Sequence, residues 1–151
     1  MNHKDLNLLL DAMLRQTKQC RRNTGHVFPF AAMLTLQGKI AYLCAPARPG
    51  HFSVQDTIRT LEDGLYTRAR QGMCKAVGIC FDLRSGFESD PGEKEAVHAY
   101  LEHHDGSAYL AVVPYANSGA VELAYGNIIT TSSVPKFFVN AIIRSAWAAL
   151  M

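Results

Sequence analysis

Apolar residues recur every three to four positions near the start of the chain. Leu6, Leu9, Leu10, Met13, Leu14 and Cys20 share one face, and Lys4, Asp11, Arg15, Lys18 and Arg22 share the opposite stripe. That 3.6-residue period predicts an amphipathic helix. Its cations gather near the C-terminal end, where the helix dipole favours them, and Asn23 and Gly25 are its stops. The pattern then turns to strands. Val27 to Leu36 reads as one, with Pro29 pointing to an edge or early position. Gln37-Gly38 is a tight turn into a partner strand over Lys39 to Cys44. Pro46, Pro49 and Gly50 mark Ala45 to Phe52 as a loop.

Ser53 with Asp56 three residues on resembles a capping box. The helix behind it carries Val54, Ile58, Leu61, Leu65 and Ala69 as its apolar stripe and ends at Gly72. Lys75 to Leu83 is a third strand, with Val77, Ile79, Phe81 and Leu83 alternating toward a core. Arg84 to Glu95 is a long polar loop. Ala96 to His104 and Ser107 to Tyr115 are joined by Asp105-Gly106, a strong hairpin signal. Ala116 to Gly119 turns into Ala120 to Gly126, and Pro135 opens a last helix at a favoured first-turn position. The order is α-β-β-α-β-β-β-β-α. It predicts one α+β domain over residues 1–151, an α/β sandwich with a mixed, mainly antiparallel sheet of about six strands and three helices.

A two-residue turn at Asp105-Gly106 would set Glu102 opposite Tyr109, Tyr100 opposite Ala111 and His98 opposite Val113. A four-residue turn at Ala116–Gly119 would pair Tyr115 with Ala120 and Val113 with Glu122. One face then collects Val97, Ala99, Leu101, Leu110 and Val112 as core. The other mixes His98, Tyr100, Glu102, His104, Tyr109, Tyr115 and Glu122 with Ala111, Val113 and Ala124. A face rich in aromatics and poor in Lys is typical of interfaces.

Composition narrows the function classes. The 151 residues are 48% apolar and 19% charged, which fits a globular domain and not a disordered chain. The net charge of +2 divides into +6 over residues 1–75 and −4 over residues 76–151. No run of eighteen apolar residues is present, so no membrane association is expected. Met1 to Asp5 leads into an amphipathic segment, unlike a secretory signal. Cys20, Cys44, Cys74 and Cys80 form no C-x-x-C pair and sit in apolar or helical contexts, as reduced cytoplasmic thiols do. No phosphate-cradling glycine motif occurs, and no cofactor is expected. Arg15, Lys18, Arg21 and Arg22 form a basic stripe without an aromatic platform, which weighs against nucleic acid. The acidic loop Glu88–Glu95 lacks the carboxylate spacing of a calcium site.

The stretch Phe28-Pro29-Phe30-Ala31-Ala32-Met33-Leu34-Thr35-Leu36-Gln37-Gly38-Lys39-Ile40 resembles the opening hairpin of cytidine deaminases. The next helix and Ala76-Val77-Gly78-Ile79 extend the likeness over residues 5–83. The resemblance implies a shared fold without the activity. Gln55-Asp56-Thr57 stands where that family needs a His or Cys followed by Ala-Glu, and no Pro-Cys-x-x-Cys follows. The element order also resembles Roadblock and profilin-like folds, which implies dimerisation or scaffolding.

Two chemical constellations can be drawn on the mixed face. If the third strand neighbours the meander, Cys80 and Asp82 join His98, Tyr100 and Glu122. Cys80 would be a nucleophile, His98 its base and Glu122 the group orienting the imidazole. Glu102 with His104 is the one metal-ligand pair on a common face, since His103 and His104 alternate sides and His98 lies about 20 Å from His104. Two ligands are too few for a structural zinc. The sequence therefore points first to a non-enzymatic, self-associating binding module, a cytoplasmic homodimer. A small-molecule enzyme using Cys80, Asp82, His98, Tyr100 and Glu122 is the alternative.

Overall fold

The computed structural model describes residues 1–24, 29–44, 53–82, 96–116 and 124–138. Two helices, α1 (Lys4–Thr24) and α2 (Val54–Arg70), accompany seven strands. These are β1 (Phe30–Thr35), β2 (Ile40–Leu43), β3 (Cys74–Asp82), β4 (Ala96–His103), β5 (Ala108–Ala116), β6 (Ala124–Tyr125) and β7 (Ile129–Ser132). Every pairing is antiparallel, so the expected parallel component is absent among the described residues. The main sheet runs β2-β1-β3-β4-β5-β7, with the two-residue β6 beside the same edge of β5 as β7. The predicted loops at 45–52 and 84–95, the turn at 117–119, Glu122 and most of the predicted last helix lie outside the described residues.

The helices cover opposite faces of the sheet. Leu6, Leu9, Leu10, Met13 and Leu14 of α1 pack on Phe30, Ala32, Leu34, Ala76, Cys80, Val97, Ala99 and Leu101. Leu61 and Leu65 of α2 pack on Ala31, Met33, Val77 and Ile79. Each leucine taken fully out of water contributes about 1.5–3 kcal/mol. Because β3 is covered on both sides, Ala76 to Cys80 are buried without interruption. Gly78 lets α1 approach closely, since a Cβ there would lie 2.6 Å from Met13 Sδ. Ser53 caps α2 by accepting from the Asp56 amide at 3.1 Å, as the capping pattern predicts.

Two register expectations are corrected. In the β4–β5 hairpin Glu102 stands opposite Ala108, Tyr100 opposite Leu110 and His98 opposite Val112. His103 and Ser107 close a three-residue loop, with the His103 amide donating to Ser107 O at 2.8 Å. A two-residue type I′ turn would need a positive φ at Asp105. Only Gly38, Gly72 and Gly106 have one among the described residues. Asp105-Gly106 therefore supplies a turn followed by a glycine bulge. One residue of slip reverses every side chain of β5. Ala111, Val113 and Tyr115 join the α1 core, so the tyrosine-rich mixed face does not form.

The second correction concerns the strand after β5. Tyr115 stands opposite Tyr125, not Ala120, and Val112 opposite Ile129. β6 and β7 thus behave as one interrupted strand. The shift in register between them marks a bulge at residues 126–128, where the Gly126 amide donates to Pro114 O at 2.7 Å.

Candidate functional site

Glu102 is the most deeply buried charged residue described, with 0% exposure. An ionised carboxylate in that position must be met by donors. Oε1 accepts from the amides of Lys136 and Phe137, and Oε2 from those of Phe137, at 3.0 Å, and Phe138, at 2.7 Å. The Tyr100 hydroxyl reaches Oε1 at 2.6 Å and Val134 O at 2.7 Å, so its single proton serves two acceptors. Burial, and then the Glu102 carboxylate, push the Tyr100 phenol well above its ordinary range. Successive backbone N–H groups converging on one anion form a nest. Here the anion is the protein's own, and its lone pairs are occupied. Glu102 pins residues 134–138 to the sheet. His104, its expected metal-binding companion, is exposed in the hairpin loop, its ring 6.5 Å from that of Phe138 in a T-shaped contact.

The Cys80–His98 pair is not assembled. Cys80 stands opposite Ala99 and therefore faces α1, while His98 stands opposite Phe81 on the other side. Cys80 is fully buried, with Sγ 3.5 Å from Thr17 Oγ1. Thr17 gives its hydroxyl proton to Met13 O at 2.9 Å, which leaves its oxygen to accept from the thiol. His98 stacks on Phe81 at 5.6 Å, and its buried Nδ1 has no hydrogen-bond partner among the described residues. Asp82 occupies the register position opposite Val97, and Glu122 lies outside the described residues.

A third group was not anticipated. α1 begins over the β4–β5 loop and brings His3 and Asp5 against His103 and Asp105. His3 Nε2 lies 2.9 Å from Asp105 Oδ2, and His103 Nε2 lies 2.9 Å from Asp5 Oδ2. His103 Nδ1 faces the Asp105 amide at 3.2 Å and Asp105 Oδ1 at 3.3 Å. The His3 and His103 rings are 4.4 Å apart. Lys75 Nζ stands 4.0 Å from Asp5. The His103 hydrogen bond, with help from the Lys75 charge, holds the Asp5 carboxyl below its ordinary range. Burial works to raise Asp105, but the Ser107 amide and His3 outweigh it and hold that carboxyl well below the usual range. No spacing in the sequence links positions 3 and 5 to 103 and 105. The only local hint was a histidine run beside a hairpin turn.

The basic stripe of α1 is partly engaged with its own chain. Lys18 lies 4.9 Å from the Tyr125 ring centre and Arg21 5.3 Å from that of Tyr115. These aromatic partners correct the expectation that none accompanies the cations. Tyr125 also donates to Leu14 O at 2.9 Å and lines an open groove of about 510 Å³ together with Leu8, Asp11, Leu14, Arg15 and Lys18.

The far edge of the sheet is β7. Among the described residues no strand pairs with its outer side. Ile129 is 59% exposed and Val134 75%. Residues 125–135 carry no charge, and five of them, Ile128, Ile129, Thr130, Thr131 and Val134, are β-branched.

No helix among the described residues is long and apolar enough to cross a membrane. No protein-family model, curated protein or solved structure matches the chain.

Proposed function

We propose that this chain is a non-enzymatic binding module that self-associates, forming a homodimer through the outer edge of β7. The observation that carries the reading is an edge strand that bears no charge and is guarded only by its shortness and the bulge before it. Natural edges are guarded by charge, proline or bulges that turn them away from partners. β7 presents Ile129 to Ser132 with no charged residue from Tyr125 to Pro135. The opposite edge, β2, is preceded by Lys39. Two copies of β7 paired antiparallel about a two-fold axis would join their sheets into one. The strand is short, so affinity on the order of micromolar is expected. Free thiols at all four cysteines agree with a cytoplasmic setting.

Backbone alternation supplies the test. The Ser133 amide donates to Ala108 O at 2.9 Å. By the alternation of an antiparallel ladder, Thr131 also points its N–H at β5, while Thr130 and Ser132 point theirs outward. Ser132→Pro removes an outward donor and leaves the β5 ladder intact, and Thr131→Pro breaks that ladder. Light scattering after size exclusion should give a dimer for the parent at tens of micromolar. It should give a monomer with an unchanged circular dichroism melt for Ser132→Pro. A monomeric parent, or a dimer that survives Ser132→Pro, overturns the proposal.

A further inference from the structure

We propose that His3 Nε2, His103 Nδ1 and the Asp105 carboxylate form a binding site for a divalent transition-metal cation of the Zn²⁺ class. One ligand atom from each of these residues lies within 4.8 Å of the other two. Two imidazole nitrogens with one carboxylate oxygen suit Zn²⁺ and its neighbours, whereas Ca²⁺ and Mg²⁺ take oxygen ligands. Ligands about 2.0–2.2 Å from a tetrahedral metal stand roughly 3.3–3.6 Å from one another. Asp105 already stands near that spacing from both rings, with Oδ2 2.9 Å from His3 Nε2 and Oδ1 3.3 Å from His103 Nδ1.

The surroundings of His103 point the same way. Its Nε2–H donates to the Asp5 carboxylate at 2.9 Å, which fixes the tautomer and leaves the Nδ1 lone pair facing Asp105. A carboxylate on the far nitrogen is the recurrent outer-shell partner of a metal-binding imidazole. His103 is 6% exposed, and its ring stands 4.4 Å from that of His3 and 4.6 Å from that of His104. Its position at the end of β4 holds it on a rigid element.

Charge favours a cation on balance. Asp5 and Asp105 contribute two negative charges near the rings, and Lys75 opposes them with one. Three hydrogen bonds must be given up, the first being that from His3 Nε2 to Asp105 Oδ2 at 2.9 Å, whose place the cation takes. The cation replaces the Asp105 amide on His103 Nδ1, at 3.2 Å. Moving the His3 proton from Nε2 to Nδ1 breaks the long contact with the Leu6 amide, at 3.4 Å. Water completes the coordination, since Asp105 is 46% exposed on its side chain.

Calorimetric titration of the full chain with ZnCl₂ should show one Zn²⁺ per chain, and MgCl₂ or CaCl₂ should show no heat at that site. His3→Ala and Asp105→Asn should each weaken Zn²⁺ binding tenfold or more. Asp5→Asn, which replaces the anionic acceptor behind His103 by a neutral one, should weaken it about 10–100-fold. His104→Ala, in the same loop but outside the donor set, should leave it unchanged. Buried His103 is read without substitution: imidazole ¹⁵N NMR should show Zn²⁺ shifting its Nδ1 and leaving Nε2 protonated. Absence of stoichiometric binding, binding that survives both His3→Ala and Asp105→Asn, binding lost in His104→Ala, or an unmoved His103 Nδ1 signal overturns the proposal.

Discussion

Replacing Glu102 by Gln tests whether a buried carboxylate fastens residues 134–138 to the sheet. The substitution changes shape little but makes one end of the group a donor. With the amide oxygen at the Oε1 position, the contacts from Lys136 and Tyr100 survive on a neutral acceptor. The amide nitrogen then faces the Phe138 amide, which now donates to Oε2 at 2.7 Å. Hydrogen bonds to a charged acceptor are worth about 1.5–3 kcal/mol, and a buried donor left unpaired costs about 1–3 kcal/mol. Burying a neutral amide instead of an ion returns part of that, so a net loss of about 2–4 kcal/mol is expected. For a domain of this size the melting temperature should fall by roughly 5–15 °C. Urea unfolding followed by circular dichroism measures the global loss. Hydrogen exchange at Lys136, Phe137 and Phe138 should accelerate, because their acceptor is the group that changes. Tyr100→Phe removes the single proton shared between Glu102 and Val134 O, and leaves the amide donors of Glu102 in place, so it should cost only about 1 kcal/mol. An unchanged unfolding midpoint in Glu102→Gln, with unchanged exchange at those three amides, would refute the account.

Gly78→Val should destabilise by about 1–3 kcal/mol through overpacking, since the first added carbon already meets Met13 Sδ at 2.6 Å and Leu101 Cδ2 at 3.2 Å. Adding Met13→Ala should recover part of the loss in a double-mutant cycle, and strict additivity would contradict the contact. Thiol labelling of the native protein should modify exposed Cys44 first. Cys74, whose thiol burial pushes up to about 11, and fully buried Cys80 should react only on unfolding. Rapid native labelling of Cys80 would count against its placement under α1. Asp5 and Asp105 both have lowered folded-state pKa values against a reference of 3.8. Their contribution to stability is present above about pH 4 and is lost as the pH falls through the lowered values. Asp105→Asn should therefore melt lower than the parent at neutral pH and converge with it in acid. Parallel pH profiles would contradict the assignment.

Local signals in the sequence carried both helices, because amphipathic periodicity and a Ser53 cap depend on neighbours within a few residues. They also carried the core face of β4, Val97, Ala99 and Leu101, but not that of β3, where both faces are buried. They failed where one residue of register decides the outcome. Asp105-Gly106 fits a two-residue turn or a turn with a glycine bulge, and the sign of φ at Asp105 selects between them. That choice moved Ala111, Val113 and Tyr115 to the side of Cys80 and away from His98. The Glu102 site was half legible. A lone Glu inside an apolar strand signals a buried charge that needs partners. Its partners are backbone amides of residues 136–138, which carry no side-chain signature.

The same reasoning separates two kinds of unmet bonding on this fold. Glu102 and Tyr100 are matched within the chain, so they have no free lone pair or spare proton to offer a substrate. His98 keeps one nitrogen unpaired among the described residues, beside Phe81 and on the opposite face from the Cys80 thiol. A solitary imidazole nitrogen is a local cost of about 1–3 kcal/mol when buried. An open strand edge is a repeating one, because each outward N–H and C=O is a hydrogen bond that another strand can satisfy. β7 offers such a row beside exposed Ile129 and Val134, so apolar burial and backbone pairing would be gained in the same contact. Two gains on one surface favour association through β7 over catalysis at His98.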